Sequence, residues 1–459
     1  MQHSATGAEA VILDPYRPYA LMMIEHLHRR HGVRTICLHS DWKTRILLEG
    51  RHPVLRSPAV SAHYMVGPSD WQRIAARLRT HHHVVGVLPY EEGMVAPLAR
   101  LAEMLNLSWA QPAVLPAFRD KAALKTLIAR NDPAVRLNVF AAVRDAVDVA
   151  EVLATHRLDR YVLKPNDGSG NNDVAFFDKA SGPEEVATYF DNVRGPVLME
   201  EFVNGPEYWV NGQVDEAGEP MIQGIGTYLR VNQNGVRNLE IASMSVAPSE
   251  PVFSQLHDYA EAVMRATGLR RSPFHLEAIV DERGPCLVEV GARFCGELGV
   301  LVDQYQHCDR RDFVDMACHY YVSQNHYPAP PLDWARYSSR CLATVTGTSP
   351  HAQRLVQVDG VREVESSPHF VFWVKRPQAG DHVDRTTSLT TRAWSVVVQA
   401  ANETELLEVV GWARSTIVLR GTANGPWPLR TRMPMYRGLA SKVWSSRPRL
   451  YQARALVGR

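Results

Sequence analysis

Short apolar runs alternate with helical patterns over the first hundred residues of the chain. Ala10 to Leu13, Thr35 to Leu38 and Val84 to Leu88 predict buried strands. Tyr19 to Arg30 and Gly93 to Leu105 predict helices, the second with its apolar residues on one face. Strands that alternate with helices are typical of a parallel sheet. The pattern therefore predicts an N-terminal α/β unit.

A capped helix and a hairpin are predicted in the next segment. Asp120 stands where a helix that runs to about Ala129 needs its N-cap residue. Tyr161 to Lys164 is a short apolar strand that runs into a polar loop with two glycines, and Val174 to Phe177 resumes the sheet. We expect a hairpin whose tip, at residues 165–172, is flexible.

Two further pairs of strands flank a helix. Val197 to Phe202 is an apolar strand that ends in carboxylates, and the alternating Tyr208 to Val214 is predicted to pair with it. Gln255 to Thr267 has apolar residues at helical spacing. Phe274 to Val280 and Pro285 to Gly291 predict the second pair of strands.

A proline-rich linker, Tyr327 to Leu332, leads into a region rich in Val, Thr and aromatic residues. There, Trp394 to Gln399 predicts a strand and Glu403 to Thr416 predicts a helix. The fold class predicted for the chain is α/β, divided into α+β lobes.

Composition limits the class of protein. A length of 459 residues suggests about two to four domains or lobes, and 45% apolar with 22% charged residues is typical of a globular protein. Lys and Arg number 50 against 49 Asp and Glu, so the net charge of +1 provides no field that attracts nucleic acid or an anionic membrane. Neither is expected as a partner.

The cysteines and the N-terminus indicate a cytoplasmic location. The six cysteines include no CxxC pair, which argues against a disulfide framework and against a zinc site. The first ten residues lack a basic region followed by an apolar run, and no stretch approaches the roughly 20 apolar residues of a membrane span. Three adjacent histidines, His81 to His83, are expected to be exposed rather than bound to metal.

The last pair of predicted strands places two carboxylates opposite each other. If residues 282–284 form a three-residue loop, Asp281 pairs with Pro285 and Glu277 lies opposite Glu289. Their Cβ atoms are then roughly 4.5–5.5 Å apart, which is destabilising unless a cation or a proton intervenes. A hard divalent ion that bridges to phosphate oxygens removes the repulsion. The alternative is that both glutamates face solvent, although each lies among apolar residues.

A lysine and a glycine loop form a weaker signal. Lys164 ends an apolar strand before Gly168 and Gly170, whose backbone N–H groups can approach a phosphate closely. A lysine at the end of a strand is more often simply solvated.

Taken in order, the segments from about Ala10 to Leu419 resemble the ATP-grasp superfamily. Each motif is modest alone, but five in the right order make the match specific, and the hinge also has the spacing found in D-alanine:D-alanine ligase. The motifs are Phe118-Arg119-Asp120-Lys121, Tyr161-Val162-Leu163-Lys164-Pro165, Asp167-Gly168-Ser169-Gly170, the hinge Met199 to Glu207, and the carboxylate hairpin.

The resemblance implies an ATP-grasp fold in four parts. Residues 1–117 form an N-terminal α/β pre-ATP-grasp domain, and residues 118–196 form the small lobe with the flexible phosphate loop. Residues 197–326 form the central, metal-binding lobe, and residues 327–459 form a β-rich C-terminal subdomain with a tail.

The resemblance also implies roles for individual residues. Lysines and loop glycines contact the phosphates of ATP, hinge residues hold the adenine, and Glu207 binds the ribose. Glu277 and Glu289 hold Mg²⁺, or Mn²⁺ in its place. The implied ATP-binding residues are Lys121, Lys164, Gly168, Ser169, Gly170, Glu200, Glu201, Phe202, Val203 and Glu207.

One position departs from most of the superfamily. Many members carry Asn two residues after the second metal glutamate, where this chain has Gly291, so a second metal ion is expected to be held less well. The stretch from Glu289 to Gly296 instead resembles the L-amino acid ligases, dipeptide synthetases of the alanine:anticapsin ligase type, which also have a His matching His275. In that branch the counterpart of Arg293 supports the transferred phosphoryl group and the acyl intermediate. Glu297 matches a position that borders the amino-substrate pocket in that branch.

The implied reaction joins two small molecules. A carboxylate attacks the γ-phosphate of ATP, an acyl phosphate and ADP form, and an amine then displaces phosphate to give an amide. Lys164, Arg293 and His275 are the expected catalytic residues, although His275 could equally be packed without a role. Arg293 and Glu297 are expected to contact the substrates.

Two alternatives to this function stay open. One is an ATP-grasp ligase of specialised metabolism that acts on a non-amino-acid or carrier-bound substrate. The other is a non-catalytic ATP-binding regulator. A homodimer is one option for the assembly.

Overall fold

The computed structural model describes residues 7–40, 50, 52–168, 173–296, 313–328 and 332–423. Within these ranges the chain forms helices and four sheets, which confirms the predicted α/β class. None of the helices in these ranges is both long and apolar enough to cross a membrane.

The first unit is a parallel sheet that alternates with helices. Its elements are β1 (Glu9–Leu13), α1 (Pro18–His31), β2 (Arg34–Ser40), β3 (Val60–Val66), α2 (Trp71–His81), β4 (Val84–Val87) and α3 (Glu92–Met104). The strands lie in the order β3-β2-β1-β4, and each neighbouring pair is parallel. The sequence pattern does not predict β3 or α2, because β3 mixes small, polar and aromatic side chains and is buried only at its ends.

Two of the three histidines at the end of α2 are exposed. His81 and His83 are exposed, as expected. The expectation is wrong for His82, whose Nδ1 lies 2.8 Å from Glu9 and whose Nε2 lies 2.7 Å from the Tyr64 hydroxyl.

A small antiparallel sheet follows. The strands of this sheet and the helices that precede or join them are, in chain order, α4 (Lys121–Asn131), β5 (Phe140–Val143), α5 (Ala146–His156), β6 (Arg160–Pro165), β7 (Ala175–Asp178), α6 (Pro183–Asn192) and β8 (Val197–Glu201). The order is β5-β8-β6-β7, and β6 and β7 form the predicted hairpin. The Asp120 side chain accepts a hydrogen bond from the Ala123 N–H at 2.8 Å, which confirms the predicted N-cap.

The central part of the chain contributes the next strands. They are β9 (Glu207–Val214), β10 (Pro220–Gln233), β11 (Val236–Ser245), β12 (Ser272–Asp281) and β13 (Gly284–Gly291), with α7 (Pro251–Thr267) between β11 and β12. The predicted pairing of β9 with the strand ending in carboxylates is wrong, because β9 lies between β10 and β12 while β8 pairs with β5 and β6. An alternating pattern identifies a half-buried strand but does not identify its partner.

The C-terminal part adds strands to the central sheet and forms a further small sheet. Its elements are α8 (Phe313–Val322), α9 (Trp334–Tyr337), β14 (Cys341–Gly347), β15 (Gln353–Asp359), α10 (Val361–Ser366), β16 (Phe370–Lys375), β17 (His382–Val383), β18 (Trp394–Ala400), α11 (Glu403–Thr416) and β19 (Val418–Ala423). One sheet of eight strands has the order β13-β12-β9-β10-β11-β14-β18-β16, and a second has the order β17-β15-β19.

Separate hydrophobic cores hold these units. The largest core joins α1 and the parallel sheet to α7 and the central strands, with Ile24 and Phe274 among its members. The small antiparallel sheet has a core of its own around Tyr161, Leu163 and Met199. A cleft lies between the small lobe and β13, and its empty volume is about 440 Å³ including the part open to solvent. The boundaries of the four predicted segments stay predictions.

Candidate active site

The turn between β12 and β13 is tighter than predicted. Asp281 pairs with Gly284 rather than with Pro285, so only residues 282–283 form the turn, and the expected three-residue loop is wrong. Gly284 has φ +97°, a conformation that glycine adopts readily and that lets so short a turn close. Arg136 binds both carboxylate oxygens of Asp281, at 2.6 and 2.7 Å, which fixes the end of β12.

A β-bulge restores the predicted register of the two glutamates. The pairing shifts between Glu277 and Ala278, which leaves Val288 as the extra residue on β13. Glu277 therefore lies opposite Glu289, as predicted. The bulge also turns Leu287, which simple alternation places beside Glu289, into the hydrophobic core.

Glu277 is held as a carboxylate by donors on its own strand and on β10. The Tyr228 hydroxyl donates to it at 2.7 Å, and Nε2 of His275 lies 3.3 Å away. Burial raises the pKa of Glu277, but the hydrogen bond and the charge of His275 outweigh it and lower the pKa to about 2. Nδ1 of His275 lies 2.8 Å from Oδ1 of Asn211, so this ring is fixed beside the carboxylate pair.

Lys121 connects the start of α4 to both the loop and the hairpin. Its Nζ donates to the Gly168 carbonyl at 2.6 Å and lies 3.4 Å from Oε2 of Glu289. Asn166 accepts a hydrogen bond from the Ala122 N–H at 3.0 Å, which ties the first turn of α4 to the same loop. Lys121, Gly168 and Glu289 therefore meet in the cleft.

Glu200 lies between two buried lysines. Nζ of Lys164 is 2.5 Å from one carboxylate oxygen, and Lys125 donates to the other. Burial raises the pKa of Glu200, but the two ammonium groups outweigh it and lower the pKa to about 2. Lys164 also donates to the Val288 carbonyl at 3.3 Å. Glu200 and Lys164 therefore form a buried ion pair at the edge of the cleft.

Lys125 is a candidate that the motifs do not reveal. Its side chain donates to Oδ1 of Asn138 at 2.6 Å and to the Leu287 carbonyl at 3.0 Å, in addition to Glu200. It is 1% exposed, and burial lowers its pKa. It therefore joins α4, β8 and β13. Its position four residues after Lys121, on the same helix face, is the sequence signal that could have identified it.

The hinge residues lie at the end of β8. The Glu201 carboxylate accepts hydrogen bonds from Arg283 at 2.9 Å and from the Val139 N–H at 3.2 Å. The Arg160 guanidinium lies 3.7 Å from the centroid of the Phe202 ring, in a cation–π contact. Val203, the next hinge residue, is buried.

Glu207 lies close to the carboxylate pair. It is opposite Ile279, one alternation along β12 from Glu277, and it forms an ion pair with Arg230 at 2.9 Å. Burial and the negative charge of Glu277 raise the pKa of Glu207 to about 7, against the lowering effect of Arg230. Arg230 is a second charged residue that the motifs do not reveal.

Arg293 lies next to the carboxylate pair and is fixed by Glu92, the first residue of α3. The Arg293 Nε donates to Glu92, and Arg119 approaches the same carboxylate to 3.1 Å. Burial raises the pKa of Glu92, but the two guanidinium groups outweigh it and lower it. A Cβ atom at Gly291 would lie 2.7 Å from Oε2 of Glu92. The absence of Asn at this position therefore leaves room for the Glu92–Arg293 pair.

The charges and ligand types of the site suit a hard divalent ion. Glu277 and Glu289 offer carboxylate oxygens, which are the ligands that Mg²⁺ prefers. Two like charges opposite each other on a sheet are destabilising without a cation between them. Ser169, Gly170 and Glu297 lie outside the described residues, and the roles of all the site residues stay predictions.

Comparison with known families identifies the class of protein. Residues 160–300 match the family model of the ATP-grasp domain, and this range includes β6 with Lys164, the hinge and both metal-type glutamates. Residues 160–300 are thus an ATP-grasp domain, which confirms the resemblance inferred from the motifs for this part of the chain.

Three individual proteins are similar to this chain in fold or in sequence. The L-amino acid ligase from Bacillus licheniformis has the same fold, with a TM-score of 0.69 at 16% identity over 91% of this chain and 100% of that one. Dapdiamide A synthase of Enterobacter agglomerans is 25% identical over 246 residues, which are 52% of this chain and 57% of that protein. An uncharacterised protein of Sinorhizobium fredii is 26% identical over 233 residues, 48% of this chain and 46% of that protein. The chain thus spans about half the length of the relatives that it matches in sequence.

Proposed function

We propose that this protein is an ATP-dependent ligase that activates a small-molecule carboxylate as an acyl phosphate and joins it to an amine. ADP, phosphate and an amide are the products. The observation that carries the proposal is the cluster of Lys121, Lys164 and Arg293 around the Glu277–Glu289 pair. An anionic nucleotide with its metal ion and a second anion both find opposite charge there.

ATP is proposed to bind between the small lobe and the central sheet. The hinge from Glu200 to Val203 faces the adenine, and Glu207 contacts the ribose. Lys121 and Lys164 contact the phosphates, and they reach the cleft from α4 and from β6. Because Lys164 belongs to the small antiparallel sheet, movement of that sheet toward the central sheet closes its positive charge over the phosphates.

Glu277 and Glu289 would hold Mg²⁺, or Mn²⁺ in its place. When bound, the ion neutralises charge on phosphate oxygens of ATP and so favours attack by a carboxylate. His275 and Tyr228 keep Glu277 ionised and oriented for this task, since both are within hydrogen-bond reach of the same oxygen.

Arg293 is the residue proposed to support the transferred phosphoryl group. Glu92 and the carbonyl of Phe294, which accepts from Arg293 at 2.9 Å, fix the direction of the guanidinium. A fixed guanidinium stabilises charge as it builds in the transition state without reorganising. The amine then attacks the acyl carbon, and exclusion of water from the closed cleft protects the intermediate from hydrolysis.

The finer proposal is that the carboxylate is an amino acid and the product a dipeptide. The likeness in fold to an L-amino acid ligase and the stretch from Glu289 to Gly296 support it. The sequence match to a protein named Dapdiamide A synthase favours a second candidate, a ligase that forms an amide in a specialised metabolite from other acids or amines.

The test is a screen for ADP release with Mg²⁺, ATP and pairs of amino acids, followed by mass spectrometry of the product. With a carboxylate labelled by ¹⁸O, one labelled oxygen should appear in inorganic phosphate. AMP and pyrophosphate would indicate adenylation and contradict the acyl phosphate. ATP binding without turnover for amino acids and for a broad set of other acids and amines would favour the regulator.

A further inference from the structure

Two histidines of α1 converge on one carboxylate of α8. Nε2 of His26 and Nε2 of His31 lie 2.8 and 2.9 Å from the same oxygen, Oδ1 of Asp315. The three ligand-type atoms all lie within 4.8 Å of one another. Residues nearly three hundred positions apart in the chain therefore bring two imidazoles and a carboxylate to one point.

The surroundings of the cluster orient the carboxylate and leave it accessible. The Tyr327 hydroxyl donates to the other oxygen, Oδ2 of Asp315, at 3.0 Å. His26 is buried, whereas the side chains of His31 and Asp315 are 18% and 22% exposed.

We infer that His26, His31 and Asp315 bind a divalent transition-metal ion of the Zn²⁺ class, at a site separate from Glu277 and Glu289. Two imidazole nitrogens and one carboxylate oxygen form a ligand set that suits Zn²⁺, Co²⁺ or Ni²⁺ and is poorly suited to Mg²⁺. Ligands about 2.0–2.1 Å from a tetrahedral ion lie about 3.3 Å from each other. The two nitrogen–oxygen distances reach that value when each imidazole withdraws from Oδ1 by about half an ångström.

The hydrogen bond from Tyr327 supports this assignment. A ligating carboxylate is usually held by a hydrogen bond to its other oxygen, and loss of that bond typically weakens metal binding by about 10- to 100-fold. The absence of cysteine pairs argues against a cysteine zinc site and leaves this one open, because its ligands are histidines and a carboxylate from distant segments. The bound ion cross-links α1 to α8 and thereby joins the parallel sheet to the part of the chain beyond the metal-type hairpin.

The experiment titrates Co²⁺ into metal-stripped, full-length protein in excess Mg²⁺, which occupies carboxylate sites, and follows the visible absorption of Co²⁺. One equivalent should bind with a spectrum of mixed nitrogen and oxygen ligands, and Zn²⁺ should displace it. The ion should also raise the melting temperature. His31→Ala should weaken Co²⁺ binding at least about tenfold.

Two matched controls separate this site from other histidines and carboxylates. His81→Ala with His83→Ala removes exposed imidazoles outside the cluster and should leave Co²⁺ binding unchanged. Glu289→Gln alters the hairpin pair and should also leave it unchanged. Absorption that survives in folded His31→Ala, or that is lost in either control, overturns the proposal, as does the absence of stoichiometric binding to the wild type.

Tyr327→Phe is the second variant if His31→Ala does not fold. A fall in Co²⁺ affinity of about tenfold or more supports the site, because the substitution removes the hydroxyl that donates to Oδ2 of Asp315. An unchanged affinity overturns it and leaves a metal-free network of hydrogen bonds between α1 and α8.

Discussion

Replacing Lys125 with Met removes a buried ammonium group and keeps most of the side-chain volume. The variant loses the hydrogen bonds to Asn138, to the Leu287 carbonyl and to Glu200. It retains the aliphatic stem, so the loss reports on charge and hydrogen bonding rather than on a cavity.

The expected loss of stability in Lys125→Met follows from the pKa of Glu200. A pKa that falls from 4.5 to about 2 on folding corresponds to about 3 kcal/mol of stability at neutral pH, and Lys125 and Lys164 together supply it. Removing one partner of a buried ion pair costs about 3–5 kcal/mol when the remaining charge is uncompensated. Because Lys164 still pairs with Glu200 and burial disfavours the Lys125 ammonium, we expect a smaller loss of about 2 kcal/mol, or a fall of about 4–8 °C in the melting temperature of a unit of about 150–250 residues.

The pH dependence of the stability difference shows whether the loss comes from the charge of Glu200. A carboxyl group with a lowered pKa stabilises the folded protein above its unfolded pKa, and this stability is lost as the pH falls through the folded pKa. In Lys125→Met the pKa of Glu200 rises toward 4.5, so the variant should differ most from the wild type near pH 7. The difference should shrink between pH 4.5 and pH 2.

Thermal unfolding by circular dichroism at several pH values measures both effects, and calorimetry measures ATP affinity. Lys121→Met is the matched control on the same helix face, since the Lys121 side chain is 14% exposed and its Nζ lies 3.4 Å from Oε2 of Glu289. It should weaken ATP binding and leave the melting temperature within about 2 °C, as expected for a weakly held pair. A Lys125→Met protein that melts like the wild type at pH 7 would refute the role of Lys125 as a link between the lobes.

Other substitutions test the remaining site residues. Arg293→Ala should lower turnover about 10²- to 10³-fold and change ATP affinity little, which steady-state kinetics and calorimetry will separate; normal turnover contradicts the assigned role. Glu207→Ala should weaken ATP binding more than it slows the committed step, and an unchanged affinity counts against the ribose contact. Because folding raises the pKa of Glu207 to about 7, wild-type stability should fall relative to Glu207→Gln as the pH rises from 4.5 through 7, measured by denaturant unfolding. Gly291→Ala places a Cβ 2.7 Å from Glu92 and should lower turnover about tenfold while the protein stays folded; an unaltered rate shows that the Glu92–Arg293 pair can shift freely.

The carboxylate hairpin shows how far a pattern of side chains predicts a site. The strand pattern predicts that Glu277 lies opposite Glu289, and the structure agrees, but the predicted loop is one residue too long. The bulge at Val288 offsets this error by one residue in the opposite sense. Val288 belongs to an apolar run, so nothing in the alternation of that strand indicates an unpaired position.

Residues that act through partners distant in sequence could not be predicted. Glu92, Lys125 and Arg230 gain their importance from Arg293, Glu200 and Glu207, which lie far along the chain or on another strand. A motif fixes residues at short spacing on one element, whereas these contacts depend on how sheets and helices pack. For the same reason, the sequence does not determine which strands pair. The alternating pattern therefore predicts the wrong neighbour for β9.

The edge of the eight-stranded sheet has a consequence for self-association. Within the described residues β13 is the outermost strand, and its Leu287 and Val288 carbonyls accept hydrogen bonds from Lys125 and Lys164 instead of from another strand. Lys164 lies on β6 of the small antiparallel sheet, which has its own core, so unfolding of that sheet alone frees the Val288 carbonyl on an edge that a neighbouring molecule can extend by strand addition. Concentrated protein held at a temperature that melts only the small antiparallel sheet is therefore expected to aggregate through β13, and nucleotides that keep this sheet docked should suppress the aggregation.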